Sequence, residues 1–165
     1  NRNNRITAGI RPRYVTQRES DMTCSEFLSA IQSRGAKIYA PAHQNQILLL
    51  NGALQQRRYA MLPQSINELY SMVGAINLDT GYIFGPNEIM RDTTYPIPSI
   101  LKVNDDIAPL GKTVGKTIFG RNDLFWFAFD AFGTFYMLDN LTLTPLRRYD
   151  DAYRAITDCL ISGKI

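Results

Sequence analysis

Chemistry by side chains needs a nucleophile, a base or a pair of acids, and this sequence supplies few of them. Its one histidine, His43, leaves no room for a two-histidine metal site or an HExxH zinc centre. A thiol–imidazole pair would have to join His43 to Cys24 or Cys159. His43, however, follows Pro41 at an expected helix start, and both cysteines fall on expected helical faces, where a free cysteine packs as a small apolar residue. Gly111-Lys112-Thr113 and Gly115-Lys116-Thr117 resemble the end of a phosphate-binding loop, but the first glycine that loop needs would fall at Asp106 or Leu110, and a strand follows Lys116 instead of a helix. Neither GxGxxG nor GxSxG occurs. Adjacent aspartates stand at Asp105-Asp106 and Asp150-Asp151, and glycoside hydrolysis needs only two carboxylates facing across a cleft. Asp150-Asp151 precedes an expected helix and serves as its cap. Asp105-Asp106 reads as loop-borne and keeps a carboxylate enzyme open. Tyr82 and Tyr95 lie outside the strongest apolar periods and are the aromatic residues to watch. The expectation is a chain with no catalytic residue, no metal and no cofactor.

The elements that must carry these residues are legible in part. Thr23-Cys24-Ser25-Glu26 has the spacing of a capping box, followed by the stripe Phe27, Leu28, Ile31 and a stop at Gly35. Lys37 to Ala40 reads as a short strand. His43 to Arg57 reads as a helix on Ile47, Leu48, Leu50, Ala53 and Leu54, despite Asn51-Gly52 in its middle. Leu62-Pro63 opens another helix, with Ile66, Leu69, Tyr70 and Val73 on one face and Gly74 at its end. Gly81 to Phe84 is an expected strand, and Gly85-Pro86-Asn87 turns into a helical turn around Glu88 and Met90.

Prolines and glycines break the stretch from Arg91 to Gly115, within which Ile100 to Val103 is the best strand. Four runs then follow: Thr117 to Phe119, Leu124 to Phe129, Thr134 to Leu138 and Leu141 to Thr144. Gly120-Arg121-Asn122, Asp130 to Gly133 and Asp139-Asn140 separate them, connections too short for parallel crossovers, so an antiparallel meander is implied. Both alternate sets of Leu124 to Phe129 are apolar, the mark of a central strand covered on both faces. A helix from about Asp150 to Ser162, with Tyr153, Ile156 and Leu160 on one stripe and Gly163 as its stop, closes the chain. The fold class expected is α+β: one domain over residues 21 to 165, mainly antiparallel sheet flanked by helices, behind a flexible basic arm over residues 1 to 20.

The net charge of +3 is reached before Met22, because Arg2, Arg5, Arg11, Arg13 and Arg18 against Glu19 and Asp21 already account for it. The rest is neutral, which argues against nucleic acid as the partner. No apolar run approaches the ~20 residues of a membrane-spanning helix, and two distant cysteines suit reduced thiols in a cytoplasm. Asn1 is not an initiator methionine, and residues 1 to 10 lack the apolar core of a signal peptide, so a trimmed piece of a longer chain is expected.

Two segments carry a resemblance. Leu62-Pro63-Gln64-Ser65-Ile66-Asn67-Glu68-Leu69-Tyr70, continuing to Val73-Gly74, is similar to the Leu-Pro helix of the SUKH superfamily. Phe127-Ala128-Phe129-Asp130 with Gly133-Thr134-Phe135-Tyr136-Met137-Leu138-Asp139 resembles the strand-turn-strand in which that superfamily sets an aspartate, a glycine and a second aspartate. Glu88 after Gly85-Pro86 falls where members carry a short helical turn. The likeness spans Leu62 to Gly163, and Gly74-Ala75-Ile76-Asn77 departs from the usual Asn-Gly-Gly. It implies an α+β sheet with packed helices and a bacterial immunity protein that neutralises a cognate toxin by direct contact. Some relatives are instead regulatory or scaffold adaptors, including a yeast regulator of cell-wall synthesis. No catalytic residues come with the family. If the toxin is a nuclease, an acidic patch would steer association, and Glu88, Asp92, Asp105 and Asp106 with Tyr95 among them are the partner-binding residues expected.

Overall fold

The computed structural model describes residues 22–91 and 95–161. The expected arm at residues 1 to 20, Asp92, and the helix stop at Gly163 lie outside the described residues. The chain divides into two compact units, meeting in sequence at Arg34 and Gly35.

The first unit contributes helix α1 (Cys24–Gln32). It begins as the capping spacing predicts: Glu26 N donates to Thr23 Oγ1 at 3.1 Å and Thr23 N donates to Glu26 Oε1 at 3.0 Å, satisfying two donors the helix leaves without partners. Cys24, Phe27, Leu28 and Ile31 are buried along it.

The second unit is built on one sheet. Its strands are β1 (Lys37–Tyr39), β2 (Ala75–Leu78), β3 (Gly81–Ile83), β6 (Lys116–Arg121), β7 (Phe125–Asp130), β8 (Phe135–Asp139) and β9 (Pro145–Tyr149), in the spatial order β1-β2-β3-β6-β7-β8-β9. Every neighbouring pair is antiparallel. A separate two-stranded ribbon joins β4 (Ile89–Met90) to β5 (Pro96–Ile97). The helices are α2 (Gln44–Gln56), α3 (Gln64–Tyr70), α4 (Ile100–Ile107) and α5 (Ala152–Ile161), with a single 3-10 turn at Ala108–Leu110. This is an α+β fold with a C-terminal meander flanked by helices.

At the centre of β7, the residues Phe127, Ala128 and Phe129 are all buried, so consecutive side chains on opposite faces are covered. The rings of Phe119, Phe129 and Phe135 meet with centroids 5.6 to 6.1 Å apart. Edge-to-face pairs at such spacing add about 1 kcal/mol beyond burial. Tyr70, fully buried on α3, donates its hydroxyl to Phe84 O at 2.5 Å, and burial raises its phenol far above the ordinary tyrosine range. That bond ties the Leu-Pro helix to the end of β3.

Several expectations fail for identifiable reasons. Ile100 to Val103 is helical: Ser99 Oγ accepts from Lys102 N at 3.1 Å as an N-cap, and Ile100, Val103 and Asn104 are buried at i, i+3, i+4 spacing. The prolines at 96 and 98 precede that cap and so do not break the helix. Asp105 and Asp106 consequently sit on α4 and not in a loop. Around Glu88 and Met90 the chain forms β4, not a helical turn. On α2 the buried stripe is Ile47, Leu50 and Leu54, while Leu48 faces solvent. Gly120 and Arg121, expected as a turn, continue β6 through a bulge between Ile118 and Gly120. Strand β2 was not anticipated.

The last correction is the fourth run of the meander. Leu141 to Thr144 is a turn, because the Asp139 carboxylate accepts from Leu141 N at 2.9 Å, Thr142 N at 2.8 Å and Thr142 Oγ1 at 3.0 Å, closing the backbone on itself. Leu143 adopts φ +60° there. The strand that follows, Pro145–Tyr149, is an exposed edge whose polar face carries no apolar alternation to read.

Both turn aspartates make stability depend on pH. Partial burial works to raise the Asp130 carboxyl, but hydrogen bonds from Tyr136, Thr134 and Phe132 and the charge of Lys116 outweigh it. Backbone donors of Thr142 and Leu141, then the Thr142 hydroxyl, lower Asp139. Because the folded values lie below the unfolded aspartate value of about 3.9, the unfolded chain takes up protons first on acidification. The contribution is present above that value and is lost as pH falls through the folded ones. Urea midpoints followed from about pH 6 to about pH 2 should therefore fall less steeply in Asp130→Asn and Asp139→Asn than in the parent. Equal slopes would show that these carboxylates do not carry the acid limb.

Candidate functional site

Antiparallel register brings three side chains from adjacent strands into one row. Tyr82 on β3 stands opposite Arg121 on β6, and Arg121 stands opposite Trp126 on β7, so all three project from the same face. The Arg121 guanidinium lies 4.5 Å from the Trp126 ring centroid, and that of Arg91 lies 5.8 Å from the Tyr82 centroid while donating to the Tyr82 hydroxyl. This row is the floor of a cleft of about 710 Å³.

The walls come from three places. Pro96, Ile97 and Pro98 of the β5 segment form one side, and Val103, Asp106 and Ile107 of α4 form another. The third comprises two turns, with Asp79 and Thr80 between β2 and β3 and Asn122 and Asp123 between β6 and β7. These turns are pinned. Thr80 Oγ1 donates to Asp123 Oδ1 at 3.2 Å, and Asn77 Nδ2 donates to Gly81 O at 2.9 Å. Buried Asn122 accepts from Leu124 N and Phe125 N at 2.9 and 2.8 Å and donates to Cys159 O on α5 at 3.1 Å. A floor on sheet strands and walls held by side-chain bonds make a preformed site.

Of the expected partner-binding residues that the structure describes, Asp106 is the one that lines the cleft. Asp106 reaches the cleft wall, where Lys102 Nζ pairs with it at 2.9 Å. Asp105, one residue on, is turned about 100° around the helix. It accepts from Arg57 Nε at 3.1 Å and from the Tyr59 hydroxyl at 2.7 Å, away from the cleft lining. Burial and that carboxylate push the Tyr59 phenol up to about 12. The two aspartates therefore do not converge on a common substrate position. Glu88 is exposed ahead of β4 and does not line the cleft. Tyr95, 67 % exposed, directly precedes the wall residue Pro96. Of the two aromatic residues outside the strongest apolar periods, Tyr82 belongs to the floor.

Arg91, Arg121, Trp126, Asp79 and Asp123 were missed. Gly120-Arg121-Asn122 has the composition of a turn, which hides the register of Arg121, and only strand pairing sets it against the chain's one tryptophan. Cys159, by contrast, is not poised for chemistry: it is buried, its thiol is pushed well up by that burial, and its Sγ donates to Arg121 O at 3.3 Å. His43 stands at the start of α2, its N–H donating to Gln46 Oε1 at 3.3 Å. Among the described residues no group of three or more His, Cys, Asp or Glu side chains gathers that could hold a metal ion, and no helix is long and apolar enough to cross a membrane.

No protein-family model matches this sequence, and neither a curated protein nor a solved structure does so.

Proposed function

We propose that this chain is a non-catalytic binding module that neutralises a bacterial toxin by direct protein contact in the cytoplasm, and that the cleft between the sheet and α4 is its contact surface. The SUKH-like residues at Leu62–Gly74 and Phe127–Asp139 suggest the role. One observation supports the location: a concave floor of Tyr82, Arg121 and Trp126, the three side-chain types that dominate the energetics of protein interfaces. Exposed Met90 on β4 and Tyr95 directly before β5 add apolar surface on the ribbon side of the cleft. Of the acidic residues expected at the interface, Asp106 is the one this surface retains.

The decisive experiment co-expresses the chain with the toxin encoded beside it. Survival with the chain, death without it and a stable complex of the two are expected. Trp126→Ala should weaken that complex by about tenfold or more, the effect of losing a central aromatic contact. Failure of the chain to protect against its neighbour, with housekeeping proteins co-purifying instead, would replace this reading with that of a scaffold adaptor.

A further inference from the structure

Arg121 is a half-buried cation without a counter-ion. Among the described residues the ion pairs are Arg57 with Asp105, Lys102 with Asp106 and Arg147 with Asp158, and none includes Arg121. Its guanidinium carbon lies 4.5 Å from the Trp126 ring centroid instead, and both side chains line the cleft. Partial removal of a guanidinium from water without a partner is unfavourable, and stacking on an aromatic ring offsets only part of that cost. A group that supplied two coplanar acceptor oxygens would complete it.

The surroundings choose among anions. Asp79, Asp106 and Asp123 line the same cleft, so its lining carries three carboxylates against the guanidiniums of Arg91 and Arg121. The three carboxylates repel any anion, and a polyanion or a doubly charged phosphate about twice as strongly as a singly charged group or more. A single carboxylate matches one guanidinium in charge and geometry, and its neighbouring amide donors suit the rim acids. Phe84, Ile97, Val103 and Ile107 provide apolar wall for flanking aliphatic side chains.

We infer that the cleft is a carboxylate-recognition site that takes a glutamate or aspartate side chain from a short peptide segment of the partner, held on Arg121 with Trp126 behind it. This rests on the cleft being the partner's contact surface, and it adds the chemistry of the segment that enters.

Trp126 is the only tryptophan in the chain, so its fluorescence reports on the site directly. The probes are acetyl-Leu-Glu-Leu-amide, its Gln counterpart and inorganic phosphate, each titrated into the intact protein. The glutamate peptide should change the emission saturably at about 1 mM, while the Gln peptide and phosphate should not. Arg121→Gln should weaken the response by about tenfold or more with an unchanged thermal midpoint. Should that variant fail to fold, the Arg121 Nε–Hε resonance of the parent serves as a second readout, shifting with the glutamate peptide only. Equal binding of both peptides, preference for phosphate, or an unmoved Arg121 signal would each overturn the assignment. Protection against the toxin would survive such a result, and loss of protection with intact peptide binding would strike the functional proposal alone.

Discussion

Gly85→Ala is expected to cost this protein most of its stability. A Cβ placed on Gly85 would lie 1.6 Å from Gly74 O and 2.6 Å from Gly74 C. Those are backbone atoms, which cannot rotate aside as a side chain would. Gly74 is itself confined, since its own Cβ would lie 2.2 Å from Ala40 O. Three backbone segments thus stack in contact where β1 ends, β2 begins and β3 has just ended. Hydrogen bonds lock the stack: Gly74 N donates to Tyr39 O and Ile100 N donates to Gly85 O, both at 2.8 Å. Overpacking by one or two methylenes among side chains costs about 1 to 3 kcal/mol. Forcing backbones apart here should exceed about 3 kcal/mol, a large share of the about 5 to 15 kcal/mol that typical domains possess. Chemical denaturation of the purified variant gives the measurement, or its insolubility does. Gly52→Ala is the matched control. Nothing lies within 4 Å of the added atom at this exposed position of α2, so helix propensity alone should raise stability by about 0.5 to 1 kcal/mol. A Gly85 variant as stable as the parent would show that the close stack is not present.

Asn104→Leu should cost about 3 kcal/mol, although the two side chains are close in size. Strand β3 pairs with β6 only as far as Gly120, with a last bond from Phe84 N to Phe119 O at 2.9 Å. The edge of β6 at Ile118 would be left open inside the protein. Buried Asn104 covers it as a neighbouring strand would: Oδ1 accepts from Ile118 N and Nδ2 donates to Ile118 O, both at 2.8 Å. The same amide donates to Ile100 O at 2.8 Å, tying the device to its own helix. Leucine removes both bonds and leaves a buried donor and a buried acceptor without partners, each at about 1 to 3 kcal/mol. Urea unfolding measures the loss, and hydrogen exchange at the Ile118 amide localises it. A variant within about 0.5 kcal/mol of the parent, with the amide still protected, would show that water or another group covers that edge.

Asn104 also shows what local reading overlooks. Nothing in Ile100-Leu101-Lys102-Val103 separates a strand from a helix by periodicity over so few residues, and the prolines nearby favour a strand. The Ser99 cap and the sheet edge awaiting an amide decide for helix. Leu141 to Thr144 failed for a related reason: β-branched and aliphatic residues suit a strand, but one aspartate carboxylate accepting three bonds outweighs that preference. Where the signal repeats along the chain, spacing and structure agree. The capping box at Thr23, the Leu-Pro helix and the aromatic runs of β6, β7 and β8 are all where residue spacing put them.

The candidate site divides along the same line. From residues alone came the α+β class, the antiparallel meander and an interest in Tyr82 and Asp106, because periodicity and short connections are local properties that survive without coordinates. The cleft itself is a product of long-range pairing. Arg121, Trp126 and Tyr82 are separated in the chain and become a single row only through the register of three strands. Asp105 and Asp106, adjacent in the chain, part company because a helix turns consecutive side chains about 100° from one another. Proximity in sequence and proximity in space are set by different forces, and only folding of the whole sheet against α4 determined which charges face one another.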